Sequence, residues 1–101
     1  MATRGSLSNL DQRVCADEEL ERQDARLNRN YKAALERLAE DPATKLALIK
    51  AQRAWVAYRD ADCQAARESA RGGTLASFLS IFCAAKHTER RADELASFGE
   101  P

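Results

Sequence analysis

Turn-forming residues are scarce in this chain: four glycines and two prolines among 101 residues. So few breakers cannot bound the many short strands of a β-sandwich or barrel. Net charge is missing as well, because sixteen basic residues meet sixteen acidic ones. That balance gives no general attraction to polyanions, so nucleic acid is excluded as a natural partner. It also removes the drive toward an anionic membrane surface. The longest uncharged stretch, Gly72 to Ala85, is shorter than a bilayer span and carries polar residues, so no membrane span is expected. There is one histidine, His87, and the three cysteines contain no Cys-x-x-Cys pair. No zinc spacing can be completed from that set, and no metal or cofactor is expected. His87 reads as a surface helix residue. Gly72-Gly73 follows a helical pattern and lacks the lysine of a phosphate loop, so it is a turn.

What the chain does have is alanine, at twenty positions. Alanine favours helix strongly but buries little surface, which points to a soluble helical domain with a thin core. Residues 1 to 10 mix Ser, Gly, Thr and Asn without a period and read as a frayed arm. From about Leu10 the pattern turns helical: Leu20, Asp24, Leu27, Tyr31, Ala34, Leu35 and Leu38 recur at three- and four-residue steps. Asp41-Pro42 ends that run and starts the next helix, with Asp41 as its N-cap. Leu48, Gln52, Trp55, Val56, Arg59, Cys63 and Ala66 share one face of a second helix over about 42–70. Arg71-Gly72-Gly73 stops it, and Thr74 caps a third helix that ends near Phe98.

The third helix carries two apolar stripes. One is Leu75, Phe78, Leu79 and Phe82; the other is Ile81, Ala85, Thr88, Ala92 and Leu95. Two stripes imply two neighbours. The expected architecture is all-α: an antiparallel up-down-up three-helix bundle with two long helices and a shorter third. It forms one domain over residues 11–98, followed by a tail over 99–101.

Polar groups interrupt the apolar faces of both long helices. Asp24 lies between Leu20 and Leu27, with Asn28 beside the stripe; Gln52 and Arg59 flank Trp55, and Asp60 sits at the edge. A buried charge is costly unless paired. The economical solution is that Asp24 or Asp60 meets Arg59, with Gln52 and Asn28 satisfying what remains. One reading makes this a structural polar lock that fixes helix register. The other makes it a cleft, or an enzyme site using Asp24, Asp60 and Arg59. A carboxylate neutralised by a neighbouring arginine is a poor general acid, so no catalytic residue is assigned. Arg59→Ala is expected to destabilise the fold severely.

With the second turn near residue 72, Cys63 and Cys83 lie nearly level on adjoining antiparallel helices, and Cys15 lies further along. This favours a Cys63–Cys83 disulfide with Cys15 unpaired. Three reduced thiols are the alternative, which a cytosolic location would require. The opening residues read as neither a secretory signal nor a transit peptide. Taken literally the chain is cytoplasmic; a mature form whose signal was removed is the alternative.

Leu27-Asn28 with Tyr31, then Ala51-Gln52-Arg53-Ala54-Trp55, then Tyr58-Arg59-Asp60 with Cys63, form an ordered signature. It continues through Gly72-Gly73, Cys83, Thr88, Arg90 and Glu94-Leu95. Over about residues 12–97 this resembles the family named for the N-terminal domain of LprI, a bacterial lipoprotein that inhibits lysozyme. The resemblance implies a small helical domain, usually exported and acting in the bacterial envelope, periplasmic or secreted. It makes Leu27, Tyr31, Trp55, Tyr58, Thr88, Arg90 and Leu95 core or signature positions. Members often carry four cysteines, one upstream of the position of Cys15, and none precedes Cys15 here. His87 stands where the family tends to have an apolar residue. The implied function is non-catalytic binding of lysozyme, another envelope protein or a cell-wall component. Asp17, Glu18, Glu19 and Glu21 are the acidic candidates for gripping a basic partner. A structural or accessory helical module is the alternative, as monomer or homodimer.

Overall fold

The computed structural model describes residues 9–100. It consists of α1 (Asn9–Arg37), α2 (Pro42–Ser69) and α3 (Leu75–Ala96), and no strand occurs among the described residues. The fold class and the up-down-up order expected from the sequence are both present. Residues 1–8 of the expected arm and Pro101 of the tail lie outside the described residues. Asn9 and Leu10, also assigned to the arm, belong to α1.

The first turn is built as its residues dictate. The Leu38 N–H reaches the Ala34 and Leu35 carbonyls at 3.2 and 3.1 Å, closing α1. Asp41 then caps α2, its carboxylate accepting from the Thr44 backbone N–H at 3.1 Å, and Pro42 opens the helix, where its missing donor costs nothing. Hydrogen bonds from Thr44, the side chain more than the backbone, hold the Asp41 carboxyl below its ordinary value of 3.8. A depressed carboxylate stabilises the fold fully above its unfolded value and loses that contribution as pH falls through the folded one. Asp41→Asn is therefore expected to flatten the acid limb of a stability–pH curve below 3.8, followed by urea midpoints. An unchanged limb would remove the cap from the acid response.

The second turn uses the left-handed region twice, at Arg71 (φ 54°) and Gly72 (φ 76°). Gly72 is required by backbone conformation alone, since a Cβ there would meet nothing within 4 Å. Arg71 holds the same region at a cost of about 1 kcal/mol relative to glycine. Thr74 occupies the N-cap position of α3 as expected, but makes no side-chain capping bond.

α3 is the central element. It packs along both α1 and α2, while those two meet directly at few points. Of the two stripes read from the sequence, the second is buried at Ala85, Thr88, Ala92 and Leu95, whereas the first leaves Leu75 and Phe82 exposed. The result is a flat layer with extents of 52 × 30 × 15 Å, and its radius of gyration of 16.5 Å exceeds the roughly 13 Å of a compact domain this long. Small side chains make the central position possible: Ala76, Ala85, Thr88, Ala92 and Leu95 are the buried residues of α3. The apolar cluster is Leu27, Ala34, Leu38, Leu48, Ala92 and Leu95, with Tyr31, Leu35 and Trp55 packed against it. It sits at the end of the layer that holds the α1–α2 turn.

Polar contacts fasten α1 to α3 at that same end. Asn30 Nδ2 donates to the Ala92 carbonyl at 2.9 Å. Arg37 donates to the carbonyls of Phe98, Leu95 and Ala96 at 2.8, 3.0 and 3.3 Å, satisfying the open end of α3.

Candidate functional site

Arg59 organises one face of the layer. Its guanidinium leaves α2, passes over α3 and reaches toward α1. It donates to Thr88 Oγ1 at 3.3 Å and to Asp60 Oδ1 at 3.0 Å, and lies 3.9 Å from Asp24 Oδ1. Beneath it is Trp55, 5.1 Å from guanidinium carbon to ring centroid. Thr88 is fully buried, and its hydroxyl also donates to the Ala84 carbonyl at 2.7 Å. The structure thus gathers Asp24, Arg59 and Asp60, which sequence reasoning singled out, and adds Thr88 as the support underneath.

Two expected members are elsewhere. Asn28 is exposed on α1 and takes no part in this network; a step of one residue from buried Leu27 turns a side chain by about 100°. Gln52 is buried, but its Oε1 accepts from Arg91 Nε at 2.9 Å instead of serving Arg59. Arg91, which also holds Glu94 Oε1 at 2.9 Å, lies in the charge run Glu89-Arg90-Arg91 and was not among the residues singled out from the sequence.

The bridge is also wetter than expected. The Arg59 side chain is 18% exposed, but Asp24 and Asp60 are 48% and 64% exposed. Carboxylates left behind by Arg59→Ala would be hydrated, so the severe loss expected from a dry ion pair is replaced by a moderate one. Losing the Thr88 bond and the stacking on Trp55 should cost about 1–2 kcal/mol. Arg59→Met, which keeps the stem over Trp55, should recover part of it. Equal melting temperatures for all three proteins would show that the bridge adds nothing to stability.

A groove of mixed charge lies between α1 and α3. Its deeper part, about 150 Å³, is lined by Ala16, Glu19, Phe82, Ala85, Lys86 and Glu89. It continues past Lys86 and Glu89 to Arg90 and Asp93, where Arg26 of α1 pairs with Asp93. Glu19 bonds to Gln23 and Arg22, and those contacts, Gln23 first, hold its carboxyl below the ordinary range. Asp17, Glu18 and Glu21 project into solvent from the same part of α1. Signature residue Arg90 is exposed on this groove, whereas Leu27 and Leu95 are buried.

At the α2–α3 seam, Cys63 and Cys83 form a disulfide with Cα atoms 5.5 Å apart; Cys15 is exposed and free. His87 is no surface residue: its side chain is only 12% exposed, and Nε2 lies 2.7 Å from Asp62 Oδ2. Tyr58, otherwise exposed, meets the imidazole in a T-shaped contact with ring centroids 5.3 Å apart. The four-residue step from Cys83 to His87 puts both on one helix face, a signal the sequence carried. Among the described residues, no buried side-chain nitrogen or oxygen lacks a partner.

These features define a class: a small all-helical domain, three helices in a layer, clasped by one disulfide. The chain belongs to the LprI family, matching the family described as lysozyme inhibitor LprI over residues 2–95. It is similar to an uncharacterised protein of Rhizobium meliloti (strain 1021), 35% identical over an alignment of 108 positions that takes in 96% of this chain and 78% of the relative. No solved structure matches the chain. Among the described residues, no helix is long and apolar enough to cross a membrane.

Proposed function

We propose that this domain is a non-catalytic protein of the bacterial envelope, periplasmic or secreted, that binds and inhibits lysozyme. The observation that carries the reading is the family match over residues 2–95, which spans all three helices. The chemistry of α1 supports it. Asp17, Glu18 and Glu21 are exposed together beside the groove that contains Glu19, giving a local acidic edge on a chain with no net charge. A strongly basic lysozyme needs such a local patch, not an overall charge, to be steered and held. The disulfide-linked, alanine-packed layer serves as the rigid support, so little ordering cost falls on binding.

Titration of the oxidised protein against a c-type lysozyme in a cell-wall lysis assay tests this directly. Inhibition should approach completion near equimolar protein. A triple variant, Asp17→Lys, Glu18→Lys and Glu21→Lys, should need roughly tenfold or more protein, as expected when close charge pairs change sign. No inhibition by the parent protein at large molar excess would discard the lysozyme reading.

A further inference from the structure

Cys83 and His87 stand one turn apart on α3 and face α2. Opposite them is Cys63, buried, with Asp62 beside it. The two sulfurs and a ring nitrogen of His87 all lie within 4.8 Å of one another. His87 Nε2 is occupied by the Asp62 carboxylate at 2.7 Å, which leaves Nδ1 as the free ring nitrogen. Two sulfurs and one imidazole, with a carboxylate orienting the imidazole from behind, make a donor set suited to zinc. In the oxidised protein the sulfurs are spent on each other. The disulfide keeps the set closed.

We propose that reduction of Cys63–Cys83 converts this cluster into a binding site for a thiophilic divalent cation of the zinc class. Cys63 Sγ, Cys83 Sγ and His87 Nδ1 are its ligands, Asp62 is the orienting carboxylate, and water takes the fourth position. A dithiol reductant transfers two electrons and two protons to the disulfide and itself becomes a disulfide. The cation then replaces the two thiol protons, which leave to solvent. Tetrahedral zinc asks for sulfur–sulfur and sulfur–nitrogen separations of about 3.5–3.8 Å. The ligand atoms already lie within 4.8 Å of one another on Cα atoms 5.5 Å apart, so rotation of the two freed cysteine side chains is the movement the site asks for. The site is independent of lysozyme binding: it lies at the α2–α3 seam, while the acidic edge is on α1.

The test uses full-length protein carrying Cys15→Ala, so that only two thiols remain. It is reduced anaerobically with a phosphine, desalted, and titrated with Zn²⁺ against a chromophoric chelator. Reduced protein should take up one equivalent of Zn²⁺ and oxidised protein none, and Co²⁺ in its place should show a thiolate charge-transfer band. His87→Ala, checked for native helix content while oxidised, should weaken Zn²⁺ binding by more than about 100-fold, and Asp62→Asn by about 10–100-fold. If reduction loosens the helices, Zn²⁺ should restore them, and circular dichroism then reads the same event. Failure of the reduced parent to bind stoichiometric Zn²⁺ would overturn the proposal. So would undiminished affinity in His87→Ala, which would reduce the cluster to a plain dithiol chelate.

Discussion

Leu95→Ala is expected to lower the unfolding free energy by about 3 kcal/mol, with the midpoint in urea falling and its slope unchanged. Leu95 is 0% exposed and is the largest apolar side chain that is fully buried. It joins Leu27, Leu38 and Leu48 in the cluster, where its neighbours Ala34 and Ala92 are already at minimum size. Removing three carbons there leaves a hole that neither alanine can grow into. The backbone around the site cannot easily close on it either, because the Leu95 carbonyl is held by Arg37 at 3.0 Å and by the Phe98 N–H at 3.3 Å. For a domain of this size, 3 kcal/mol corresponds to a melting shift of roughly 12–24 °C. Leu46→Ala is the control: that leucine is 60% exposed, and its loss should stay within about 0.5 kcal/mol. A Leu95→Ala loss below about 1 kcal/mol would mean that the cluster is not the packed centre of the domain.

That the third helix would bury one face along its length was legible in the sequence. The stripe Ile81, Ala85, Thr88, Ala92 and Leu95 has the period of a helix face, and four of its five members are buried. Asp41-Pro42 and Gly72-Gly73 likewise carry their turns in their own chemistry, a cap with a fixed φ and a left-handed backbone. Lateral order was not legible. Periodicity gives the phase of each helix about its own axis but not which neighbour lies on which side. The expected pairing of Asp24 with Arg59 implies that α1 and α2 touch there, yet α3 lies between them. For that reason the Arg59 bridge has to cross α3, its carboxylates stay wet, and Thr88 becomes its support.

The same gap explains the misplaced and missed polar residues. Asn28 looks equivalent to Asn30 on a helical stripe of uncertain rotation, but only Asn30 faces α3 and bonds the Ala92 carbonyl. Arg90 and Arg91 are adjacent in a charge run; one is exposed, while the other is partly buried against Gln52. One residue is about 100° of helix, more than the width of the polar seam. Cys63 and Cys83 escaped this difficulty because level arithmetic from the α2–α3 turn needs only the helical rise, not the rotation.

Replacing both bridging cysteines, as Cys63→Ala with Cys83→Ala, should cost about 3 kcal/mol, because the bond spans 20 residues and removes the corresponding freedom from the unfolded chain. Its location makes the loss local in effect as well as global in magnitude. The leucine cluster lies at the α1–α2 turn, whereas toward the α2–α3 turn the buried side chains are Ala16, Cys63, Ala76 and Ala85. Small residues hold that end poorly without the bond. Amide exchange in the second half of α2 and the first half of α3 should therefore accelerate, with Ala92 and Leu95 still protected. Along α3, Leu95 and Cys83 are about 18 Å apart by the helical rise, so the two lesions should add. Their sum, about 6 kcal/mol, reaches the lower end of the roughly 5–15 kcal/mol expected for a domain of this length. The triple variant with Leu95→Ala should consequently populate unfolded chain at 25 °C without denaturant, visible as lost helical dichroism. Full helicity in that variant, or an unchanged urea midpoint in the double cysteine variant, would mean that the seam is held by something other than the disulfide.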